Sequence, residues 1–424
     1  MRRTAMLVSM VLAVAMMAMA GIRDDIKKNP LKGGSHYFAY PDSALPALTP
    51  APEGYKPFFI NHYGRHGSRW LIDGNQYVVP VTELEKGERN GKLTQRGRQL
   101  LAHLRTVKLA STKRLGELSD KGAEQHQRIA RRMYENFPEV FAGDAPIDAR
   151  STVVIRCILS MQNETDMLKS LNPNLRITTD ASNHDMYYMN CHDTVVARLR
   201  REVAPLYEDF RSRHLNPKHM LGVLFTDKKF VADSIDGLAL MTNLYEVAAN
   251  LQSHHAFDGM YMLDVFSDDE LFELWSCTNV DWYLKVANTP LTDHRVVYCQ
   301  RNLLTDFIEA ADRALALGRN SATLRFGHDS VVLPTACLMG INGADFSTDD
   351  LEEVADNWCS TDFIPMAGNI QLVYYRKAGS DDVLVKVLMN EREATLPITT
   401  DIAPYYHWSE VRAYFMDVLA DMPR

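Results

Sequence analysis

The alternation of apolar and polar positions predicts α/β structure at both ends of the chain and helices between them. The run Pro57-Phe58-Phe59-Ile60-Asn61-His62-Tyr63 is short and apolar, which predicts a buried strand. It leads into the loop Gly64-Arg65-His66-Gly67-Ser68-Arg69-Trp70. Thr94 precedes one helical pattern and Ser119 precedes another, beginning Asp120-Lys121-Gly122-Ala123-Glu124-Gln125. A hydroxyl at each position predicts a helix N-cap. The β-branched run Thr152-Val153-Val154-Ile155 predicts a second strand, followed by Arg156 and a helix over 160–171. From about 175 to 320 the periodicity is mostly helical, for example over 194–207, 235–251, 268–275 and 303–317. A third strand over 322–326 ends at Gly327-His328-Asp329, ahead of a helix over 331–339. Two β-rich runs, 370–376 and 383–389, flank Ala378-Gly379-Ser380-Asp381-Asp382, which predicts a hairpin.

Composition narrows the class. The chain has 424 residues, 46% hydrophobic and 24% charged, with 22 Gly and 18 Pro, so a disordered chain, a collagen and a coiled coil are excluded. A net charge of −8 argues against a nucleic-acid partner and leaves a polyanion acceptable only in a locally basic pocket. Residues 1–20 read as a signal peptide. Arg2 and Arg3 precede an apolar run over 6–17, and Ala18-Met19-Ala20 is a small-x-small cleavage site. The expectation is therefore an exported protein, periplasmic or secreted, with no membrane span in the rest of the chain. Residues 21–56 read as an irregular lead-in, 57–174 and 321–424 as an α/β domain, and 175–320 as a helical inserted domain. Cys157, Cys191, Cys277, Cys299, Cys337 and Cys359 permit disulfides or buried thiols. No C-x-x-C pair is present, which disfavours zinc ribbons and dithiol redox sites. The sequon Asn163-Glu164-Thr165 lies in a helix-like stretch and reads as chance.

Three strands each end in a cluster of Arg, His or Asp, and in open α/β sheets ligands sit beyond the carboxyl ends of strands. In Arg65-His66-Gly67-Ser68-Arg69 two guanidiniums flank a histidine on a glycine-bearing loop. A guanidinium donates two parallel hydrogen bonds to a phosphate, and a neutral imidazole can attack phosphorus. His62 and His66 stand four apart, but on a strand-to-loop segment and without H-E-x-x-H, so no metal site is expected. His254-His255, His184 and His192 read as surface or structural residues, and Trp70 as packing. Ser68 lies outside any G-x-S-x-G elbow and is not a serine-hydrolase nucleophile.

Arg65-His66-Gly67-Ser68-Arg69 resembles the R-H-G-x-R signature of the histidine acid phosphatases, the larger branch of the histidine phosphatase superfamily. Arg156 and His328-Asp329 fall in the order of that branch's third arginine and His-Asp pair, and Leu118-Ser119-x-x-Gly122-x-x-Gln125 resembles its helix after the first strand. The resemblance implies a three-layer α/β phosphatase domain with a mostly helical inserted domain. It implies His66 as nucleophile, Arg65, Arg69, Arg156 and His328 as phosphate clamp, and Asp329 as general acid. It implies a small-molecule phosphate monoester as substrate, with no metal and no cofactor. Within the branch, the helical insertion, the 264–282 stretch and the segments 363–369 and 385–390 resemble the multiple inositol polyphosphate phosphatases, and phytate-like substrates are expected. That group usually carries His-Ala-Glu, whereas this chain has His328-Asp329-Ser330. Lys32, Lys92, Arg96, Lys228 and Lys229 are available to hold further phosphates. The alternatives are a broad-specificity acid or sugar phosphatase and, outside enzymes, an inactive phosphate-ester binding protein. A phosphoglycerate-type mutase is disfavoured by the signal peptide and the helical insertion.

Overall fold

A computed structural model describes residues 21–41 and 45–423; the segment read as a signal peptide lies outside them. The strands are β1 (Tyr55–Arg65), β2 (Pro146–Ser151), β3 (Arg176–Asp180), β4 (Ser321–Gly327), β5 (Asn369–Lys377), β6 (Val383–Met389), β7 (Arg392–Glu393) and β8 (Tyr405–His407). They form one sheet in the order β3-β2-β4-β1-β5-β6-β7, with β8 beside β6. β3, β2, β4 and β1 run parallel, while β5 turns back antiparallel to β1 and β6 antiparallel to β5. Arg65 stands opposite Gly327 and Ser151 opposite Phe326, so three parallel strands end at one level. The segments that follow them emerge along a single edge.

Helices cover both faces, as the α/β reading expects. They include α1 (Ile22–Lys28), α2 (Gly74–Arg89), α3 (Gln95–Ala110), α4 (Asp120–Asn136), α5 (Ile155–Leu171), α6 (Thr194–His214), α7 (Gly237–Asn250), α8 (Asp268–Val286), α9 (Arg301–Leu317), α10 (Asp329–Met339) and α11 (Trp408–Ala420). Alternate residues of β1 serve the two faces. Ile60 joins the cluster under α4 and α5, while Phe59 and Tyr63 join the larger one that runs through α7 to α11. Thr94 and Ser119 do cap α3 and α4, accepting from the N–H of Gly97 and Gly122.

Two expectations are corrected. The second strand is 146–151, not 152–155. In 146–151 burial alternates, with Ile147, Ala149 and Ser151 inside, whereas Val153 and Ile155 are 41% and 72% exposed. The period-2 pattern outweighs the β-branched composition of the later run, which is a turn and the first turn of α5. Second, the lead-in is not irregular throughout. Residues 22–28 are helical, with Asp24 and Asp25 in the first turn and Lys27 and Lys28 in the last, matching the helix dipole, and 30–37 form a 3₁₀ segment. The middle segment is mostly helical, and β3 joins the sheet edge within it. Most of its core is shared, since Leu240, Trp275 and Phe307 lie in one cluster with Leu84, Leu100 and Val331, while Val196, Val296 and Cys299 form a small cluster within the segment. All six cysteines are free thiols. Asn163 sits inside α5, where its amide donates to the Leu159 carbonyl.

Candidate active site

The edge where β1, β2 and β4 end collects Arg65, His66, Arg69, Arg156, His328 and Asp329, the six residues that the sequence motifs singled out. The His66 N–H donates to the Gly327 carbonyl at 2.9 Å and its carbonyl accepts from Ala367 N–H at 3.1 Å, so the loop after β1 is stitched to those after β4 and before β5. Gly67 faces Gly122 at the start of α4, and a Cβ on either would run into the other's backbone. This close approach is what both glycines supply. Ser160 Oγ accepts from Gly67 N–H at 3.1 Å and Gln125 Oε1 from Ser68 N–H at 2.9 Å. His66 Nδ1 lies 2.9 Å from the Gly67 carbonyl. A carbonyl only accepts, so Nδ1 carries the proton and Nε2 keeps its lone pair.

Arg65 is fully buried, its Nη1 donating to the carbonyls of His36 at 2.6 Å and Ile364 at 2.7 Å while Nη2 pairs with Asp329 Oδ2 at 2.7 Å. Arg69, also buried, donates to the Trp70 carbonyl at 2.9 Å and lies over the Tyr37 ring at 5.6 Å. Arg156 stands in the first turn of α5, beside Gly116. His328 is the residue before α10; its Nε2 lies 3.2 Å from Thr152 Oγ1, and its ring is 5.8 Å from that of His66. Asp329 opens α10, with Oδ1 accepting from Ser330 N–H at 2.8 Å. Three guanidiniums thus face one carboxylate. The Nε–H groups of Arg65, Arg69 and Arg156 are buried without a hydrogen-bond partner among the described residues. An unmet buried donor costs about 1–3 kcal/mol, so this cluster of donors suits an anion.

The same charges set the protonation states. Burial, then Arg65, Arg69 and Arg156, holds the His66 imidazole well below the ordinary histidine range, so it is neutral. Burial, with Arg156 and its neighbours, lowers His328 to about 4 against the pull of Asp329. Burial pushes the Asp329 carboxyl up, but Arg65 and the other cations together hold it well below the usual carboxylate range. Asp329 is therefore ionised in this arrangement.

A family model for the histidine phosphatase superfamily, branch 2, matches residues 59–390. The chain belongs to that branch. It is a phosphomonoesterase of the histidine acid phosphatase type. Among curated relatives, multiple inositol polyphosphate phosphatase 1 of Gallus gallus is 22% identical, over 99% of this chain and 94% of that one. Among solved structures, the multiple inositol polyphosphate phosphatase of Bifidobacterium longum in complex with phosphate aligns at a TM-score of 0.73 and 17% identity, covering 91% of this chain and 97% of that one. The phytase from D. castellii aligns at 0.70 and 14% identity, covering 92% and 85%. At such identities the likeness is one of fold.

This histidine phosphatase holds site residues that the sequence reading passed over. His36 comes from the lead-in, beyond every motif. Its carbonyl is held by Arg65, its ring faces Trp282 at 5.8 Å, and burial with Arg65 lowers it to about 3. Ser35 before it adopts φ 50° and ψ −126°, a strained conformation outside glycine, held by the packing of Gly33 and Gly34 against Leu271 and Ala249. Gln125 and Ser160 hold the loop from beneath; only Gln125 had a sequence signal, in the Leu118–Gln125 pattern. The cations proposed to widen specificity are committed elsewhere: Lys32 to Asp25, Lys92 to Asp227, Arg96 to Asp264 and Lys229 to Asp233, at 2.6–2.7 Å each. Lys228 has no ion pair among the described residues. Lys285 acts on His36 electrostatically, and it is itself paired with Asp281.

Proposed function

We propose that this phosphatase is exported and hydrolyses inositol polyphosphates of the phytate kind through a phosphohistidine. The carrying observation is the gathering of buried Arg65 and Arg69 and half-buried Arg156 around a neutral His66 whose Nε2 lone pair is free. The scissile phosphate sits among Arg65, Arg69, Arg156 and His328, which balance the charge on its equatorial oxygens. His66 Nε2 attacks phosphorus; the P–N bond forms as the P–O bond to the leaving group breaks. The leaving alkoxide takes the proton of the Asp329 carboxyl. In the second half, the Asp329 carboxylate takes a proton from water, whose oxygen attacks phosphorus as the P–N bond breaks.

The ion pair with Arg65 adds a condition: Asp329 enters the cycle without a proton. A phosphate binding to Arg65 weakens that hold and brings negative charge beside the carboxylate, which raises its proton affinity. The proton can arrive on the substrate itself, as the phosphate monoanion. The inositol-phosphate assignment is supported by the names of the relatives, and export by the leader pattern of residues 1–20. A second reading, a broad-specificity acid phosphatase, is favoured by one observation: Lys32, Lys92, Arg96 and Lys229 are paired away from the site.

Phosphate release from inositol hexakisphosphate, sugar phosphates and an aryl phosphate, with and without chelator, separates these readings. The expected result is a preference of at least tenfold in kcat/KM for the inositol ester, unaffected by chelator. Equal rates on all three select the second reading. His66→Ala is expected to lose phosphoenzyme and turnover while keeping its fold; a phosphorylated residue other than His66 refutes the mechanism.

A further inference from the structure

Beneath the nucleophile loop lies a wholly buried group of ionisable side chains that the reaction does not touch. His62 on β1, His126 on α4 and Glu164 on α5 are each fully buried. His126 Nδ1 lies 2.9 Å from Glu164 Oε2, and His62 Nε2 lies 4.0 Å from Glu164 Oε1. The rings of His62 and His126 both lean on Phe326 of β4, at 5.5 and 5.8 Å. The rest of the buried seam between α4 and α5 is apolar, with Ile129, Met133, Met161 and Leu168, and the other polar link, Gln127 to Asn163, lies at its part-buried rim. A carboxyl group in such a place is costly unless it is bonded.

Its position explains it. Gln125, next to His126, accepts from Ser68 N–H, and Ser160, one turn before Glu164, accepts from Gly67 N–H. The two peptides that flank Gly67 are therefore held one by each helix. The one between Gly67 and Ser68 donates its N–H to Gln125 and accepts at its C=O from His66 Nδ1, and the one between His66 and Gly67 donates its N–H to Ser160. That carbonyl fixes the tautomer and the aim of the His66 ring. The guanidiniums are anchored separately: Arg65 through the His36 and Ile364 carbonyls, Arg69 through the Trp70 carbonyl. The buried bond between His126 and Glu164 clamps α4 to α5 where they hold these two successive peptides.

We propose that Glu164, through His126, is a positioning residue for the nucleophile: it locks the two helices that hold the His66–Gly67 and Gly67–Ser68 peptides and, through them, orient His66. The chain of contacts reaches the nucleophile and leaves Arg65 and Arg69 of the clamp untouched; Arg156 shares α5 but lies two turns before Glu164, so the loss slows attack more than it loosens phosphate. A nucleophile misplaced by about 1 Å can lose 10²-fold in rate.

The inference rests on His66 being the nucleophile. Two variants test it. Replacing the pair together, as His126→Leu with Glu164→Leu, exchanges the bonded pair for apolar groups, and His62, 4.0 Å from Glu164 and neutral, loses no hydrogen bond; such a change is often neutral for stability. Gln125→Met cuts the last link without adding a charge to the core. For each folded variant the expected result with an aryl phosphate is a kcat at least tenfold lower. The burst of phenol release slows equally, while inhibition by inorganic phosphate stays within about threefold of the parent. A kcat within twofold of the parent in either folded variant overturns the proposal, as does a matching loss of phosphate inhibition. His66→Ala is run alongside: if it retains turnover, the nucleophile reading has failed, whereas an inactive His66→Ala beside an unaffected Gln125→Met refutes this inference alone.

Discussion

At the scale of single residues, the pairing of Asp329 with Arg65 decides most of the behaviour of the site. An alkoxide must be protonated as it leaves, whereas a nitrophenolate leaves unaided. Asp329→Asn is expected to lower hydrolysis of an alkyl phosphate by about 10²–10⁴-fold and that of an aryl phosphate by far less, since general acid assistance is of that size. Comparing the two substrates in initial-rate assays checks it, and equal losses would remove Asp329 from the role. The pH dependence follows from the same pair. Free Asp329 is ionised and free His66 is neutral over the working range, because their proton affinities are both lowered. The one proton the reaction needs then comes from the substrate, whose second ionisation lies near about 6. kcat/KM is expected to fall about tenfold per pH unit above that value. Below it the profile is expected to stay flat, with no limb at the ordinary histidine value. A rising limb near 6.5 in the kcat/KM profile would contradict a neutral, depressed His66.

At the scale of elements, the loop after β1 is seated by the contact between Gly67 and Gly122 and by the Ser119 cap of α4. Gly122→Ala puts a methyl into the Ser68 backbone, which cannot yield as a flexible side chain would. The expected outcome is a loss of at least 10²-fold in kcat, or of the folded state, read by thermal melting and aryl-phosphate turnover. Ser119→Ala leaves that contact and is expected to cost about 1 kcal/mol as a lost cap. These elements differ in how far they could be read from the chain. Apolar runs flanked by Gly and charged residues made β1 and β4 legible, and hydroxyls ahead of amphipathic stretches made α3 and α4 so. β2 was misplaced because Val153, Val154 and Ile155 have the composition of a strand, while the alternation that marks one lies earlier, in Ile147, Ala149 and Ser151. The residues closest to phosphate chemistry were visible because they are short contiguous motifs. His36 was not, because a lone histidine after Gly33-Gly34-Ser35 carries no local pattern. Its place depends on a carbonyl contact with Arg65 that only the fold creates. Glu164 was hidden for the opposite reason: it sits in a regular helix, where a glutamate reads as surface.

For the whole molecule, acid is expected to weaken the fold even as it supplies the proton. His62 and His328 are lowered to about 4, His254 to about 3, and His66 well below its usual range, with burial the leading cause in each. A histidine held neutral in the native state takes up a proton on unfolding. Its stabilisation is therefore complete above about 6.5 and is lost as pH falls from there toward the native value. Each such group removes up to about 1.4 kcal/mol per pH unit in that window. The melting temperature is expected to drop between pH 6.5 and 4.5, and inorganic phosphate to restore part of it by binding the native state. A melting temperature that rises over the same interval would contradict the buried, neutral histidines. Activity lost above pH 6 and stability lost below it confine the working range from both sides. The strand order has a further bearing, on how the chain comes into being. β1 is among the first strands to leave the ribosome, yet its two neighbours in the sheet, β4 and β5, are made some 260 to 320 residues later. Throughout most of synthesis an apolar strand that leads into His66 has neither edge paired, and no partial chain ending before residue 321 can complete the sheet around it. The nascent protein is thus chemically silent until nearly all of it exists, and in that interval it depends on whatever keeps an exposed strand from pairing with a stranger.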